Sequence, residues 1–414
     1  MRIAYLCQYF PPEIGAPAAR VSELSAAWAA AGHEVTVITG VPNHPTGRVP
    51  AEYQGTWFRK ERKDGVSIWR NWLYATPNEG LVKKTVSHLS FMVSSAILST
   101  PRLRGHDVVI VSSPTFFSAL TAWFMSRVWR VPFVFEVRDL WPGIFVELGV
   151  LKSRTLIRVL EGIEMFLYRA AAQVVVVTES FGANLRSRGV PASKVATITN
   201  GVDSAFYVPA PRGNEIRGAH GLIDQFVVLY IGAHGISHGL HAILDAAALT
   251  LDDQGIRWVF VGEGAEKRSL VAAAQSRKLT NVQFVEGQPK TLMPAWYAAC
   301  DAALVPLKNI KMFETFIPSK MFEIMACGRP IIGAVKGEAR EILERSGGAV
   351  VVDPEDAAGI AAAVRRLRGD ATLRQDLSQA GRRFVVANYD RRDLAKRYLS
   401  LLELVTNRPP QGGS

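Results

Sequence analysis

Short runs of apolar and β-branched residues alternate with amphipathic segments along the whole chain. In the first half these runs begin at residues 2, 34, 66, 107, 133, 173 and 195, and they include DVVIVSS and QVVVVTE. Helical patterns lie between several of them, as in 16–32, where Val21, Leu24 and Trp28 recur at helical spacing. Near-continuous apolar strands separated by helices are typical of a parallel sheet that is covered on both faces. The first half is therefore predicted to be a doubly wound α/β domain.

The alternation breaks once and then restarts. Residues 204–224 contain Pro209, Pro211 and three glycines, and the strand-like runs FVVLYIGA, RWVFVGEG, VQFVEG, AALVPL, PIIGAV and GAVVVD follow. A chain of 414 residues is long enough for two domains of about 200 residues each. We predict an α/β fold of two Rossmann-like, doubly wound parallel-sheet domains that face each other across a cleft. Their predicted boundaries are 1–205 and 206–387, with a helix at about 388–406 that crosses back onto the first domain.

Composition narrows the class of protein. Hydrophobic residues make up 48% of the chain and charged residues 21%, which is typical of a globular protein with large cores. The cysteines, Cys7, Cys300 and Cys327, are far apart in apolar stretches and match neither a disulfide framework nor zinc spacing. This cysteine usage favours a cytoplasmic location. The N-terminal MRIAYLCQYFPPE is interpreted as a first strand and not as a signal peptide.

A formal net charge of +11 allows nucleic acid, an anionic membrane surface or a phosphorylated substrate as partner. The basic runs at 59–63, 102–104, 365–368 and 390–397 lack interleaved aromatic residues, so a nucleic-acid partner is not expected. Solvated helix faces account for most of them. Residues 83–104 have an apolar centre flanked by cations but are too short to span a bilayer. They predict either a peripheral contact with an anionic leaflet or a buried helix of the first domain.

Ligands of parallel sheets bind beyond the carboxyl ends of the strands, so the loops there hold the candidate residues. After the first strand, Gly15 and Ala16 leave a helix start bare enough for a substrate to approach the backbone. A tight turn is the alternative interpretation. Arg138 and Asp139 end a later strand, just before Trp141 and Pro142. They either face a substrate or form a structural ion pair.

The second half offers three further loops. The segment YIGAHGISHGLHAIL contains Gly232, His234 and His238 but lacks the GxGxxG spacing of a dinucleotide site. We do not expect a metal there, because the glycines leave the histidines without fixed positions. Glu263 and Glu286 follow two other strands, where backbone groups and apolar side chains suit a flat base. Core packing explains these two loops nearly as well.

The segment IPSKMFEIMACGRPIIGA, residues 317–334, raises the sharpest question. A helix start carries unpaired N–H groups and the positive end of the helix dipole, so a lysine there has the wrong sign unless an anion is bound. If Ser319 caps this helix, its first-turn N–H groups and Lys320 form a site for a diphosphate, and Glu323 accepts hydrogen bonds from ribose hydroxyls. Alternatively, the Lys320 side chain lies along the protein surface, and the positive end of the helix dipole stabilises the Glu323 carboxylate near the helix start.

With these residues described, the chain resembles the retaining glycosyltransferases of family four, which have the two-Rossmann fold called GT-B. The resemblance covers nearly the whole length. Its markers are FPPEIGAPAARVSELSAAWAAAGHEVTVITGVPNHPTG, FEVRDLWP, TNGVD, LYIGAHGISHGLHAILDAA, FVGEGAEK and PSKMFEIMACGRPII. The combination of PNHPTG with VRDLWP is similar to the branch that builds bacterial surface polysaccharides, including transferases for N-acetylfucosamine-type sugars.

This resemblance implies a UDP-sugar donor, bound mainly by the second domain, and a saccharide or lipid-linked saccharide acceptor, held mainly by the first. The donor sugar would be N-acetylated or a deoxy amino sugar. The resemblance implies that Glu323 holds ribose, that Gly15 and Ala16 lie against the donor, and that Arg138 and Asp139 lie near the reacting sugar. The segment before Glu323 would hold the sugar and the diphosphate; it comprises Glu314, Thr315, Phe316, Ile317, Pro318 and Ser319. No Asp-x-Asp triplet occurs, so we expect neither a metal nor another cofactor.

The chain departs from the family pattern at several positions. The first of the two glutamates that the family often carries would fall on Thr315, with Glu314 one place away, and the usual Arg and Lys of the second glycine loop fall on Ala233 and His238. Arg138 stands where many relatives carry His. These departures make Lys320 more important for the phosphate charge. An epimerase or hydrolase of nucleotide sugars and a non-catalytic basic module for nucleic acid or membranes are the alternative functions.

Overall fold

The computed structural model describes residues 1–13, 15–44, 46–77, 81–113, 116–147 and 151–407. The chain divides into two compact units. The first unit is Met1–Thr199 with the described residues from Arg392 onward, and the second is Asn200–Arg391. The boundaries predicted from the sequence are 205 and 387.

The first unit contains one mixed sheet with helices around it. Its strands are β1 Arg2–Leu6, β2 Glu34–Gly40, β3 Phe58–Lys63, β4 Val66–Asn71, β5 Val108–Ser112, β6 Phe133–Val137, β7 Gln173–Val176 and β8 Val195–Thr197. The order across the sheet is β3-β4-β2-β1-β5-β6-β7-β8. Its first helices are α1 Ala16–Ala30, α2 Leu81–Ser99, α3 Ser118–Trp129, α4 Gly143–Glu147, α5 Arg154–Ala170 and α6 Glu179–Ser187. The apolar runs in the sequence correspond to the parallel strands because these strands are buried on both faces.

The basic run at 59–63 corrects one expectation. It is not a solvated helix face but most of β3, an edge strand that pairs antiparallel with β4. Arg59, Lys60, Arg62 and Lys63 are exposed on it. Charged side chains along an edge strand prevent pairing with other sheets, which explains why a strand here is so polar.

The second unit contains a smaller sheet whose strand pairs are all parallel. Its strands are β9 Phe226–Ile231, β10 Ile256–Val261, β11 Val282–Val285, β12 Ala302–Pro306, β13 Ile331–Ala334 and β14 Ala349–Val352, in the order β11-β10-β9-β12-β13-β14. Its helices are α7 Glu215–Ala219, α8 Leu240–Ala248, α9 Lys267–Ser276, α10 Met293–Ala299, α11 Lys320–Ala326, α12 Gly337–Ser346, α13 Ala357–Gly369 and α14 Ala371–Tyr389. The prediction of two Rossmann-like α/β domains is confirmed.

The last helix, α15 (Arg391–Thr406), packs on the first unit. The indole Nε1–H of Trp28 donates to the carbonyl of Ala395 over 3.0 Å, and the Tyr398 ring meets the Trp28 ring edge-on at a centroid distance of 5.3 Å. Both aromatic side chains are buried.

Cys7, Cys300 and Cys327 are free and buried in the cores, as their apolar surroundings predicted. In the part of the chain that the structure describes, no helix has the length and hydropathy needed to cross a membrane.

A buried carboxylate connects several elements of the first unit. Glu136, on β6, accepts hydrogen bonds from Arg20 Nε (3.0 Å), Tyr5 Oη (3.0 Å) and Ser112 Oγ (2.8 Å). Burial alone would raise the pKa of Glu136, but the charges of Arg20 and Arg138 and the two hydroxyl groups lower it below its ordinary value. Arg20 also donates to the carbonyls of Ile198 and Thr199, so this carboxylate positions α1 and the end of the unit.

We predict that Glu136→Gln lowers the free energy of unfolding by about 3 kcal/mol, because it leaves the buried Arg20 guanidinium without its counter-ion. Urea denaturation at neutral pH measures this change. The matched control is Glu34→Gln, which breaks an exposed ion pair with Arg2 and should cost less than about 1 kcal/mol. An equally small loss for both variants would contradict a structural role for Glu136.

Candidate functional site

The strand order of the second unit places the candidate site at one end of its sheet. Successive strands run outward from β9 in one direction and from β12 in the other. At such a reversal the loops after the two central strands diverge and leave a crevice at the carboxyl ends. The loops that follow β9, β10 and β12 therefore form the candidate site.

Three glycines bring the first two of these loops together. Gly232, Gly262 and Gly264 have φ angles of 141°, 143° and 157°. A Cβ on Gly262 would lie 1.9 Å from the carbonyl oxygen of Gly232, and one on Gly264 would lie 2.4 Å from that of His234. The backbones of the two loops are therefore in direct contact, which only glycine allows. The His234 N–H also donates to the carbonyl of Glu263 over 2.8 Å.

Lys320 lies beside this double loop. Its Nζ is buried and has no hydrogen-bond partner among the described residues. The Nζ lies 4.1 Å from the centroid of the Tyr230 ring, and a Cβ on Gly232 would be 2.7 Å from it. Burial lowers the pKa of Lys320 to about 7, although the nearby Glu323 raises it. Gly232 thus leaves room for an ammonium group that no described residue binds through a hydrogen bond.

The predicted cap at Ser319 is wrong. Ser319 has helical angles, φ −58° and ψ −28°, and its side chain makes no capping hydrogen bond. Met321 and Phe322 donate their N–H groups to the carbonyls of Pro318 and Ser319, both over 3.1 Å, so a tight turn already begins before the helix. Because α11 has only seven residues, the Lys320 side chain, and not the helix start, is the distinguishing feature of this segment.

Glu323 lies one turn after Lys320 on the same helix. Its Oε2 accepts a hydrogen bond from the Tyr297 hydroxyl over 2.9 Å, and the Tyr207 hydroxyl also binds its carboxylate. Burial raises the pKa of Glu323, whereas Tyr297, Arg391 and Lys290 lower it. Sequence reasoning missed Tyr207, Tyr297 and Tyr230, because each lies in an ordinary apolar stretch far along the chain from α11. A carboxylate fixed in this way retains lone pairs for a ligand hydroxyl.

The two histidines of the glycine loop carry no charge near neutral pH. The His234 side chain is 0% exposed, and neither of its ring nitrogens has a hydrogen-bond partner among the described residues. His238 is half-buried, with its Nδ1 3.4 Å from the carbonyl oxygen of Pro306. Burial and the Lys320 charge lower the pKa of each histidine to about 4. Lys320, and neither histidine, is therefore the group of this crevice that gains and loses a proton near neutral pH, so a bound anion would favour its charged form.

Two of the predicted carboxylates stay at the surface. Glu263 forms an ion pair with Lys267 over 2.6 Å and accepts from the N–H of Gly287 over 3.2 Å. Glu286 is exposed next to that glycine. The structure thus brings both predicted residues to the same pair of loops after β10 and β11.

The segment before α11 forms a tight turn. Glu314 and Thr315 lie in a 3₁₀ turn, Lys311–Thr315, where Thr315 Oγ1 donates to the carbonyl of Met312 over 2.8 Å. Phe316 meets the ring of Phe313 edge-on, and Ile317 and Pro318 are half-buried beside it. The turn is held by its own contacts and leads directly into Lys320.

The first unit places Arg138 and Asp139 immediately after β6. The backbone N–H of Arg138 donates to Ser113 Oγ over 2.7 Å, but its Nε and Nη1 are buried without a hydrogen-bond partner among the described residues. Within the described chain, the side chains of Arg138 and Asp139 form no direct ion pair, although the Arg138 charge acts on the Asp139 carboxyl group. Burial raises the pKa of Asp139, whereas Arg138 and Lys84 lower it.

Asp139 lines a cavity of about 280 Å³, which we call the first-unit pocket. Gly15, His44, Lys84, His88 and Trp141 also line it. Ala16 begins α1 directly after Gly15. Sequence reasoning missed Lys84, His44 and His88, which lie far along the chain from Asp139.

Glu13 positions one wall of the first-unit pocket. Its Oε1 accepts the N–H groups of both Asn43 and His44 over 2.9 Å. This contact joins the loop after β1 to the loop after β2. Burial lowers the pKa of Lys84, and it lowers the pKa of His88 to about 4. The first-unit pocket is therefore lined by the Asp139 carboxylate, the Lys84 ammonium group and the neutral imidazole of His88.

Comparison with known families decides what these units are. Residues 15–201 match the Glycosyl transferase 4-like domain, and residues 214–384 match Glycosyl transferases group 1. The chain carries these two glycosyltransferase domains. The family resemblance noted in the sequence is thereby confirmed at the level of the domains, while the N-acetylfucosamine branch stays a prediction.

Individual proteins resemble the two glycosyltransferase domains over nearly their full length. The chain is 26% identical over 401 residues to the Escherichia coli (strain K12) protein named putative colanic acid biosynthesis glycosyl transferase WcaI, covering 94% of this chain and 97% of that one. Among solved structures, a sucrose-phosphate synthase from Thermosynechococcus elongatus has a TM-score of 0.77 at 21% identity over 98% of each chain. HepE from Anabaena, in complex with UDP-glucose, has a TM-score of 0.72 at 16% identity over 98% of this chain and 100% of that one. These structures share the GT-B fold with this chain.

The buried ammonium group of the group 1 domain predicts a specific dependence of stability on pH. The pKa of Lys320 falls from its ordinary 10.5 to about 7 in the folded state. Between these values the unfolded chain binds more protons than the folded one, so stability should rise with pH from about 7 to about 10. Lys320→Met should remove this rise and should be more stable than the wild type at pH 6.5, with the gap closing as the pH increases.

Urea unfolding at several pH values measures this difference. Lys267→Met is the matched control, because Lys267 is already paired with Glu263. If the gap between wild type and Lys320→Met stayed constant from pH 6.5 to 9.5, the ammonium group would not be buried as described.

Proposed function

We propose that the chain is a retaining glycosyltransferase that moves a sugar from a UDP-sugar to a saccharide or lipid-linked saccharide acceptor. The observation that carries this proposal is the Lys320 ammonium group, which is buried at the carboxyl edge of a parallel sheet without a hydrogen-bond partner among the described residues. A cation left unpaired in such a position suits an anionic ligand. The UDP-glucose bound to HepE supports a nucleotide-sugar donor for a chain of this fold.

In this proposal the group 1 domain binds the donor. Lys320 Nζ binds the diphosphate, and Glu323 accepts hydrogen bonds from the ribose hydroxyls. The loops of Glu263 and Glu286 hold the base. Pre-positioned donors stabilise the charge that develops on the leaving diphosphate, which is the largest electrostatic demand of the reaction.

The 4-like domain binds the acceptor in the first-unit pocket, where Asp139 accepts hydrogen bonds from saccharide hydroxyls. The acceptor oxygen forms a bond to the anomeric carbon on the face from which the diphosphate departs, and a diphosphate oxygen takes the acceptor proton. The configuration of the sugar is therefore retained. Arg138 offers N–H donors near the reacting groups.

We place this reaction in the synthesis of a surface glycan on the cytoplasmic side, with an N-acetylated or deoxy amino sugar as donor. The name of the E. coli relative, which refers to colanic acid, supports a polysaccharide product. The PNHPTG and VRDLWP motifs support the choice of sugar. A peripheral contact with the membrane through α2 would bring a lipid-linked acceptor to the enzyme.

We expect Lys320→Met to lower turnover of the UDP-sugar by about 100-fold, because it removes a charge-assisted contact to the leaving group. The same variant should lose the rise in melting temperature that UDP, but not GDP or dTDP, produces in the wild type. The control is Lys278→Met, which changes an exposed lysine of the same domain. Turnover of Lys320→Met close to that of the wild type would refute the assignment of the site, and rapid UDP release without acceptor would indicate a hydrolase.

We also propose that the transfer does not require a metal, because the Lys320 ammonium group supplies the positive charge at the diphosphate. EDTA should then leave turnover within about twofold of its original value. A strict requirement for Mn²⁺ or Mg²⁺ in the same assay would contradict this scheme.

A further inference from the structure

Helix α2 of the 4-like domain exposes an apolar face. Phe91, His88 and Ser95 are buried on one side of the helix, whereas Val86, Leu89, Val93 and Ile97 are exposed on the other. The Ile97 side chain is 66% exposed. A surface helix of a globular protein normally presents polar residues to water, so a continuous exposed apolar face indicates an interaction surface.

This face forms one wall of an apolar groove of about 460 Å³, which we call the α2 groove. The other wall consists of the indoles of Trp57 and Trp72, which stack with their centroids 5.2 Å apart. Ser90 and Ser94 also line the groove, but their hydroxyls are bonded to the backbone of Tyr74 and Trp72. The α2 groove therefore presents hydrocarbon and aromatic surface to its ligand.

Exposed cations flank the residues of the α2 groove along the chain. Lys83 lies at the start of α2, and Arg102 and Arg104 follow its end. The edge strand β3, which follows Trp57 in the sequence, adds four exposed cations, namely Arg59, Lys60, Arg62 and Lys63. The intervening Glu61 is paired with Arg70 over 2.9 Å and with Arg59 over 3.3 Å, so Lys60, Arg62 and Lys63 are the β3 cations that it does not neutralise. An apolar floor with a cationic border matches an anionic bilayer, in which hydrocarbon lies directly behind negative head groups.

The same helix joins the α2 groove to the first-unit pocket. Lys84 and His88 line the pocket, whereas Val86, Leu89 and Val93 line the groove. A ligand bound in the α2 groove therefore lies at a fixed position relative to the first-unit pocket. A bilayer in this position would keep the pocket close to acceptors that are anchored in the same leaflet.

We propose that the α2 groove takes up a hydrocarbon chain of a lipid in an anionic bilayer, with α2 lying in the plane of the membrane interface. This inference rests on the proposed function for its purpose, which is delivery of a lipid-linked acceptor. The tryptophans at its rim suit this location, because indole rings favour the membrane–water interface. Binding to vesicles does not require donor or acceptor, so it is measured independently of turnover.

The experiment compares flotation of the full chain with vesicles of phosphatidylcholine and with equal mixtures of phosphatidylcholine and phosphatidylglycerol. The wild type should bind the anionic vesicles and bind the neutral ones at least about fivefold more weakly. Ile97→Glu and Val93→Glu should each weaken binding by about tenfold or more, because each places a carboxylate in the apolar face. The control is Ile223→Glu in the group 1 domain, where the side chain is 64% exposed and binding should not change.

Insertion of a chain is tested separately from surface attraction. Lipids brominated in the acyl chain should quench the part of the tryptophan emission that Trp57→Phe removes. No quenching, equal binding of Ile97→Glu and wild type, or no binding to anionic vesicles would each overturn the proposal. A wild-type dimer that Ile97→Glu abolishes, without vesicle binding, would also overturn it in favour of a second copy of this chain.

The two proposals fail in different ways. Ile97→Glu should keep the rise in melting temperature with UDP, whereas Lys320→Met should keep vesicle binding. If Ile97→Glu lost both vesicle binding and the rise in melting temperature with UDP, this variant would have a folding defect. Vesicle binding of Val93→Glu would then test the proposal.

Discussion

An ammonium group held out of water without a hydrogen-bond partner among the described residues is the constraint around which the group 1 domain is arranged. The penalty for burying such an ion is several kcal/mol, whereas the contact with the Tyr230 ring returns only about 0.5–2 kcal/mol. The difference is an energetic deficit in the ligand-free domain. Deficits of this kind occur at functional sites where a ligand removes them, and this is the physical reason why the proposed function assigns an anion to Lys320.

The backbone explains how this cation is held in place. Gly232 has no side chain, and the space a Cβ would occupy contains Lys320 Nζ. Gly262 is needed in turn because its neighbour in space is the carbonyl of Gly232. The position of one lysine therefore depends on two loops that follow different strands, and these loops meet at the crevice because the strand order reverses between β9 and β12.

The parallel strands of both units were predictable because a strand that is buried on both faces is a continuous apolar run in the sequence. The strand β3 was missed because it lies at an edge and consists mostly of charged residues. The cap at Ser319 was wrongly predicted because residue type alone does not show that a turn begins upstream at Pro318. The tyrosines that hold Glu323 could not be found at all, since their proximity to α11 results from the packing of distant segments and leaves no local pattern.

The departures from the family pattern at Ala233 and His238 become compatible with the proposed binding of a diphosphate once the burial of Lys320 is considered. Ala233 and His238 stand where the family resemblance implies basic residues in the glycine loop, and the low pKa of His238 leaves its ring uncharged near neutral pH. Burial is the main reason for the low pKa of both His234 and His238, and the Lys320 charge lowers both further. One cation in a closely packed, neutral surrounding is less screened than several cations in an open loop, and its attraction for a diphosphate is correspondingly stronger. The loss of two basic side chains is therefore compatible with binding the same kind of ligand, provided that Lys320 stays buried.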